Sequence, residues 1–301
     1  MVNLRTDLAV ESLYTHKGAG IVEENEEKNG INITKIEIKT DEASNEVKKP
    51  KGTYITLESE FIRENDTEKA EELSKELSFQ LKVLINKYFN NIQNDEKILI
   101  CGLGNRNITA DALGPDCVGN IMVTNHIISI LNDSQNDFSR VSAITPGVMG
   151  LTGIETNNII KGIKDEYKPS LIIAVDALCA ITPKRMFGTI QLTDTGINPG
   201  SGVGNRRGAI NKETMKVPVI AIGIPTVVDA NSIIYDAFSQ SKKQSYSDNE
   251  INDILMNVEN YFVSPKDIDS LIKRSAKIIA NGINLALHKD IDFAFIENYI
   301  S

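Results

Sequence analysis

From Lys97 onward, short apolar runs alternate with longer amphipathic segments, and no other feature of the sequence constrains the fold as much. The runs have the length of strands and are apolar throughout, unlike the alternating pattern of a half-exposed strand. Strands of this kind are buried on both faces and need helices on each side of their sheet. The sequence therefore predicts an α/β fold in which helices flank both faces of a parallel or mixed central sheet.

The predicted elements follow from these patterns. Strands are predicted at Lys97–Cys101, Val141–Ile144, Leu171–Val175, Thr189–Leu192 and Val217–Ile222. Helices are predicted at Asp116–Leu131, Glu155–Tyr167, Asp229–Phe238, Pro265–Leu287 and Ile291–Tyr299. A further helix over Thr67–Asn90 has apolar residues every three or four positions.

The first sixty residues are less regular. Strand patterns at Ile31–Thr40 and Tyr54–Leu57 predict an N-terminal β-ribbon over about residues 31–60, with a turn-rich connector between Asp41 and Gly52. The acidic run Glu23–Gly30 predicts a solvated turn or mobile segment.

Composition narrows the function. The 301 residues carry a formal net charge of −9, which argues against a nucleic-acid-binding surface. No apolar run reaches the length of a membrane-spanning helix, and the N-terminus lacks a signal-peptide pattern, so we expect no membrane partner. Three cysteines without a CxxC motif fit a reducing cytoplasm.

Two aspartates follow two of the predicted strands. Asp111 lies in the glycine-rich loop Gly102–Pro115, and Asp176 comes directly after Leu171–Val175. In open α/β sheets, ligands and chemistry collect at the carboxyl ends of the strands. We therefore expect both carboxylates in one site, although an aspartate after a strand is also a common turn or helix-capping residue.

Such a pair supports two kinds of chemistry. Two carboxylates held close share one proton, so that one acts as a base on a water and the other as an acid toward a carbonyl or leaving amine. Alternatively, both carboxylates ligate a divalent metal together with a third donor. The pattern alone leaves both alternatives open.

A non-enzymatic alternative starts from the same loop. A strand, G-x-G and a helix are typical of nucleotide-binding folds, which would make the chain a binding module. The fingerprint requires a third glycine where this sequence has Asn107, and this disfavours the nucleotide hypothesis. A second glycine-rich loop, from Gly196 to Gly204, is suited to holding a peptide by main-chain hydrogen bonds.

Four motifs together resemble the germination proteases of spore-forming bacteria. They are GLGNRNITADALGP from Gly102, IIAVDALCA from Ile172, DTGINPGSGVGNRR from Asp194 and IGIPTVVDA from Ile222. The resemblance runs over nearly the whole chain. It implies an endopeptidase of the spore core, a cytoplasmic location, that degrades small acid-soluble spore proteins during germination. It also implies an inactive homotetrameric zymogen.

The resemblance further implies site residues. The core is expected to resemble that of hydrogenase-maturation proteases, with Asp111 and Asp176 as the catalytic acids. Amides of the two glycine-rich loops are expected to hold the substrate strand or the developing oxyanion, at Gly102, Gly104, Asn105, Gly200 and Gly202.

The resemblance also implies a role for the N-terminal segment. Family substrates are cut between an acidic and an apolar residue that is followed by Ala-x-Glu, and Asp7–Glu11 has this form. The resemblance therefore implies self-cleavage between Asp7 and Leu8. Residues 1–7 would be a propeptide, and residues 8–301 a single α/β protease domain.

One position departs from the family pattern. Asn198 precedes Pro-Gly-Ser-Gly where the family commonly has a histidine, and the related maturation proteases place two acids and a histidine around a metal. Because asparagine replaces imidazole poorly, we expect an acid pair without a cofactor. The alternative is one divalent metal on Asp111 and Asp176, with His126 or a backbone carbonyl as a further ligand.

Overall fold

The computed structural model describes residues 5–13, 19–89, 96–131, 138–199, 208–240 and 261–300. Within these residues nine strands form one mixed sheet. The strands are Ile21–Lys28 (β1), Ile31–Ile38 (β2), Gly52–Glu58 (β3), Lys97–Gly102 (β4), Arg140–Ile144 (β5), Leu171–Ala180 (β6), Thr189–Thr193 (β7), Val219–Asp229 (β8) and Phe262–Val263 (β9).

Helices of very different length connect and cover these strands. They are Ala9–Ser12 (α1), Asp41–Val47 (α2), Phe61–Glu64 (α3), Thr67–Ile85 (α4), Leu113–Val118 (α5), Asn125–Leu131 (α6), Met149–Thr152 (α7), Thr156–Tyr167 (α8), Lys212–Met215 (α9), Ala230–Gln240 (α10), Ile268–Leu287 (α11) and Phe293–Ile300 (α12). Two short 3₁₀ turns lie at Thr109–Asp111 and Pro183–Arg185.

The sheet has a parallel half and an antiparallel half. Its strand order is β1-β2-β3-β7-β8-β6-β4-β5, with β9 paired to β8. Strands β8, β6, β4 and β5 run parallel, whereas β1, β2, β3, β7 and β8 pair antiparallel in turn. The mixed sheet confirms the predicted fold class, and β8 is the strand at which the two halves meet.

Alternate residues of the parallel strands face opposite sides of the sheet, and each side has its own apolar cluster. Ile98 and Ile100 belong to the cluster that contains the buried residues of α4 and α11. Leu99 and Cys101 belong to the other cluster, which contains Ile160 of α8. Helices thus cover both faces, as the uniformly apolar strands require.

The prediction of a solvated turn or mobile segment at Glu23–Gly30 is wrong, because these residues form most of strand β1 and its turn. The turn signal was Asn29–Gly30, whose φ angles of 52° and 76° are those of a tight two-residue hairpin. Strand β1 is almost wholly exposed, so its polar sequence reflects an edge position and not the absence of a strand.

Other element boundaries also differ from the predictions. The connector after β2 contains α2, which begins where the Thr40 hydroxyl accepts a hydrogen bond from the Ala43 amide. The predicted helix Asp116–Leu131 is two helices, α5 and α6, because Gly119 ends the first and the Thr124 side chain bonds to the backbone of the β5 region. Strands β6 and β8 continue well beyond their predicted ends.

None of the helices in the described part of the chain combines the length and apolar character that crossing a membrane requires.

Candidate active site

Asp176 lies within strand β6, not after it. Strand β4 ends at Gly102, opposite Val175, whereas β6 continues for five residues and pairs with β8 alone. Strand β4 has already ended at this level and no residue of β4 pairs with Asp176, yet Asp176 is only 5% accessible to solvent. The prediction that Asp176 ends a strand is wrong, because the strand continues past it to Ala180.

Asp111 lies in a turn and is held there by specific hydrogen bonds. It closes the 3₁₀ turn Thr109–Asp111, and the Asn105 amide donates both to its carboxylate, at 2.8 Å, and to its backbone carbonyl, at 3.0 Å. Next to it, the Ala110 carbonyl accepts a hydrogen bond of 2.6 Å from the Thr226 hydroxyl. The loop thus folds back on itself and is tied to strand β8.

Thr226 reaches the loop because β8 carries a bulge. Leu178 pairs with Pro225 and Cys179 with Val227, so Thr226 has no partner residue on β6. A bulge of this kind re-aims one side chain and is common beside active sites. Here it directs a buried hydroxyl at the turn that carries Asp111.

The glycines of the first loop provide close packing. A Cβ on Gly102 would lie 2.2 Å from the Gly114 carbonyl oxygen, and one on Gly114 would lie 2.5 Å from the Val175 carbonyl oxygen. Gly104 has a φ of +110°, and a Cβ there would lie 2.1 Å from the Asp111 carbonyl oxygen. The glycines therefore let α5 and the loop approach the strand ends and fix where Asp111 sits.

Both acids line one cavity of about 680 Å³. Its floor is a row of paired residues across three strands, because Gly223 of β8 pairs with Asp176 on one side and with Gln191 of β7 on the other. All three residues line the cavity. Strands are spaced at about 4.8 Å, so Asp176 and Gln191 stand about 10 Å apart across a glycine that has no side chain.

The N-terminal segment forms part of the wall of this cavity, at Arg5, Thr6 and Asp7. Its backbone adds to strand β6, since the Asp7 amide donates to the Cys179 carbonyl at 2.9 Å. The Asp7 carboxylate accepts the Cys179 amide, also at 2.9 Å. Lys49 donates to the Thr6 carbonyl at 3.1 Å.

Gln191 holds the same segment from the opposite side. Its Nε2 donates to the Asp7 carbonyl at 3.1 Å, and its Oε1 accepts the Ala9 amide at 2.7 Å. A backbone carbonyl can only accept a hydrogen bond and a backbone amide can only donate one. These two partners therefore define which side of the Gln191 amide carries the nitrogen and which the oxygen. The two contacts flank the peptide bond between Asp7 and Leu8.

Glu11 anchors the segment beyond this bond. Glu11 is 2% exposed, and its carboxylate accepts from the Ile181 amide at 2.8 Å and from the Thr182 amide at 3.3 Å. Arg185 lies 3.4 Å from the same carboxylate, and the Thr6 hydroxyl donates to it. Burial raises the pKa of Glu11, and these partners oppose that shift without cancelling it.

Burial also shifts two neighbouring groups. It raises the pKa of the Cys179 thiol to about 12, with a further contribution from the Asp7 charge, and it lowers the pKa of Lys49. The Cys179 sulfur lies 3.9 Å from the Arg5 carbonyl. The Cys179 thiol is thus protonated and buried, with the Arg5 carbonyl beside it.

The structure places the other predicted residues in different settings. Gly104 and Asn105 line the cavity, as does the exposed Asn198. Gly102 is absent from the lining and packs against Gly114. Gly200 and Gly202 lie outside the described residues.

Neither described histidine belongs to the cavity lining. His126 is exposed on α6, and His288 is buried at the end of α11. Among the residues that the structure describes, no three His, Cys, Asp or Glu side chains are grouped so as to hold a metal ion. His126 is thus not grouped with the two acids, whereas a site formed by both acids and a backbone carbonyl stays a prediction, and we derive no step through a metal.

Sequence reasoning missed Gln191, Thr226 and Arg185. Gln191 did carry a signal, since it is an amide inside the apolar strand Thr189–Leu192. Thr226 and Arg185 have ordinary sequence surroundings, and only the bulge of β8 and the docking of Glu11 reveal what they contact.

Comparison with known proteins places this site in a family. The germination protease family model matches residues 5–244. The germination protease of Caldanaerobacter subterraneus is 42% identical over 95% of this chain and 95% of its own. That of Priestia megaterium is 39% identical over 96% of this chain and 95% of its own. That of Bacillus subtilis is 37% identical over 96% of this chain and 94% of its own.

Among solved structures, a NiFe hydrogenase maturation protease from Thermococcus kodakarensis aligns with 68% of this chain and 98% of its own. Its identity of 16% and TM-score of 0.33 are too low for us to draw any conclusion from it. The match to the family model and the full-length relatives are sufficient by themselves. The chain belongs to the germination protease family of peptidases.

Proposed function

We propose that this protein is an endopeptidase that begins the degradation of small acid-soluble spore proteins during germination, and that it is made as a zymogen that cuts itself between Asp7 and Leu8. The observation that carries the proposal is the position of Asp7, which lines the same cavity as Asp111 and Asp176. The substrates follow from the family resemblance and agree with the name of the relatives.

The two acids supply the chemistry. One carboxylate takes a proton from a water, whose oxygen then bonds to the Asp7 carbonyl carbon and gives a tetrahedral intermediate. The other acid gives a proton to the Leu8 nitrogen as the C–N bond breaks. The products are a chain that ends in the Asp7 carboxylic acid and a chain that begins with the Leu8 amine. The roles of base and acid belong to the pair, and neither role is assigned to one of the two residues.

Docking of the segment favours this bond over its neighbours. The Asp7 backbone extends β6, in the way that an added strand binds a sheet edge. Glu11 fixes the register four residues further on through two backbone amides and Arg185. Together they hold Asp7 at the cavity that both acids line.

The test is self-cleavage of the purified chain. Mass spectrometry and N-terminal sequencing should reveal the loss of residues 1–7 and a new N-terminus Leu-Ala-Val-Glu. Asp111→Asn and Asp176→Asn should each stay uncut, because each removes one member of the pair. Asp116→Asn is the matched control, since Asp116 lies in the same region of the chain but outside the cavity lining.

Two results would overturn the proposal: a different new N-terminus, or wild-type cleavage by either asparagine variant. Loss of activity with a chelator, restored by one added divalent metal, would replace the acid pair by a metal mechanism. Digestion of a purified small acid-soluble spore protein by the processed chain tests the substrate. Light scattering tests the homotetramer and checks that the variants assemble as the wild type does.

A further inference from the structure

Gln191 lines the cavity and contacts the N-terminal segment on both sides of the Asp7–Leu8 bond, at the Asp7 carbonyl and at the Ala9 amide. It lies in the row Asp176, Gly223, Gln191, so its side chain faces Asp176 across a residue with no side chain. Gln191 is 6% exposed, and two backbone partners orient its side-chain amide. It is therefore already positioned before any reaction begins.

We propose that Gln191 is a catalytic residue whose side-chain N–H binds the carbonyl oxygen of the bond being cut. The inference rests on the proposed function, because it takes Asp7–Leu8 as that bond. The Nε2 atom is 3.1 Å from the Asp7 carbonyl oxygen in the uncut chain. When water adds to the carbonyl carbon, this oxygen gains the electron pair of the C=O π bond, and a fixed donor stabilises it more than it stabilises the ground state.

Every proton and electron pair in this step moves between groups already named. The water proton goes to one acid of the pair and the oxygen charge is held by the Gln191 N–H. When the C–N bond breaks, the electron pair on oxygen re-forms the carbonyl and the other acid protonates the leaving nitrogen. Gln191 neither gains nor loses a proton.

The second hydrogen bond of Gln191 allows its catalytic role to be distinguished from its role in holding the N-terminal segment. Oε1 accepts the Ala9 amide at 2.7 Å, and an acceptor is all that this contact requires. A glutamate at position 191 keeps the acceptor and loses the donor, whereas a methionine of similar length loses both. Cys179 is used to report docking, because its sulfur is buried and lies 3.9 Å from the Arg5 carbonyl, and we expect iodoacetamide to reach it once the segment leaves.

The experiment compares self-cleavage rates of wild type, Gln191→Glu and Gln191→Met, with alkylation of Cys179 by iodoacetamide measured on the uncut chains. Gln191→Glu should cut about 100- to 1000-fold more slowly, as expected for the loss of one oxyanion donor, while Cys179 stays protected. The ratio of the Gln191→Glu rate to the Gln191→Met rate should rise as the pH falls, since a protonated glutamate regains a donor.

The matched control is Thr189→Val, on the same strand two residues away, buried and outside the cavity lining. It should cut like the wild type. Wild-type rates in both Gln191 variants, a rate ratio independent of pH, or loss of Cys179 protection in Gln191→Glu would each overturn the proposal. Failure of the proposed function is distinguishable, because the wild-type chain itself would then not cut at Asp7–Leu8.

Discussion

The two acids of the site are held by opposite means, and the contrast shows what each depends on. Asp176 stands on a ten-residue strand, one residue past the point where β4 ends, and its pairing with Gly223 of β8 fixes its backbone. Asp111 stands in a 3₁₀ turn nine residues beyond its strand, where the Asn105 amide, the Thr226 hydroxyl and three glycines fix it. The strand acid depends on many equivalent bonds, the turn acid on a few specific ones.

This difference predicts that the Asp111 side of the site is the more sensitive to single substitutions. A strand residue shares its position with long ladders of hydrogen bonds, which a local change disturbs little. A turn without such ladders shifts when one contact is removed, and a shift of about 1 Å at a reacting group costs about 100-fold in rate. The following predictions test that contrast from the largest expected effect to the smallest.

Gly104→Ala should have the largest effect. The new methyl would lie 2.1 Å from the Asp111 carbonyl oxygen, and the residue has a φ of +110° that alanine rarely adopts. Strain and overlap together should destabilise the fold by about 3 kcal/mol and abolish self-cleavage. Urea unfolding measures the stability. Stability and cleavage like those of the wild type would contradict the structural role of this glycine.

Gly223→Ala is the matched change on the strand side. Its methyl meets the Leu178 side chain at 2.6 Å and the Asp176 carbonyl oxygen at 2.8 Å, without an unusual φ. We expect a loss of about 1–2 kcal/mol in unfolding free energy, less than for Gly104→Ala. Self-cleavage should still fall about 100-fold, because the methyl lies between Asp176 and Gln191. A larger stability loss than that of Gly104→Ala would reverse the comparison.

Thr226→Val should have a moderate effect. Valine keeps the shape of threonine but leaves the Ala110 carbonyl without the 2.6 Å hydrogen bond. The expected cost is about 1 kcal/mol in unfolding free energy, together with slower cleavage, because the bond positions the Asp111 turn. Chemical denaturation and the self-cleavage rate measure the two effects. Unchanged cleavage would mean that the other contacts hold Asp111 without help from β8.

Glu11→Gln should have the smallest effect, and it depends on pH. Burial raises the pKa of Glu11 in the folded chain above its ordinary value. The protonated form of Glu11 is therefore favoured by folding. It adds to the unfolding free energy below the ordinary pKa of glutamate, and this stabilisation is lost as the pH rises through the raised pKa of the folded chain. From about pH 4 to pH 7, the unfolding free energy of the wild type should therefore fall relative to that of Glu11→Gln. An opposite trend would show that the Arg185 ion pair outweighs burial.

Much of the fold was predictable because it depends on local patterns. The buried strands from Lys97 onward and the helix now bounded as Thr67–Ile85 follow from periodicity, and the mixed sheet with helices on both faces follows from them. The predictions failed where polar residues sit inside strands. Strand β1 is polar because it is an edge, and β6 contains Asp176 because that residue faces a cavity.

The sequence by itself determined which residues are the candidates for chemistry: Asp111 and Asp176 were identifiable from their places after apolar runs, and Asp7–Glu11 from its resemblance to a substrate. Only the tertiary structure decided what surrounds them. Gln191 lies about 180 residues, and Arg185 about 170 residues, along the chain from the N-terminal residues that they contact. No local pattern encodes a contact between such distant positions. Sheet register and close packing at glycines set these contacts, because both depend on the whole chain being folded.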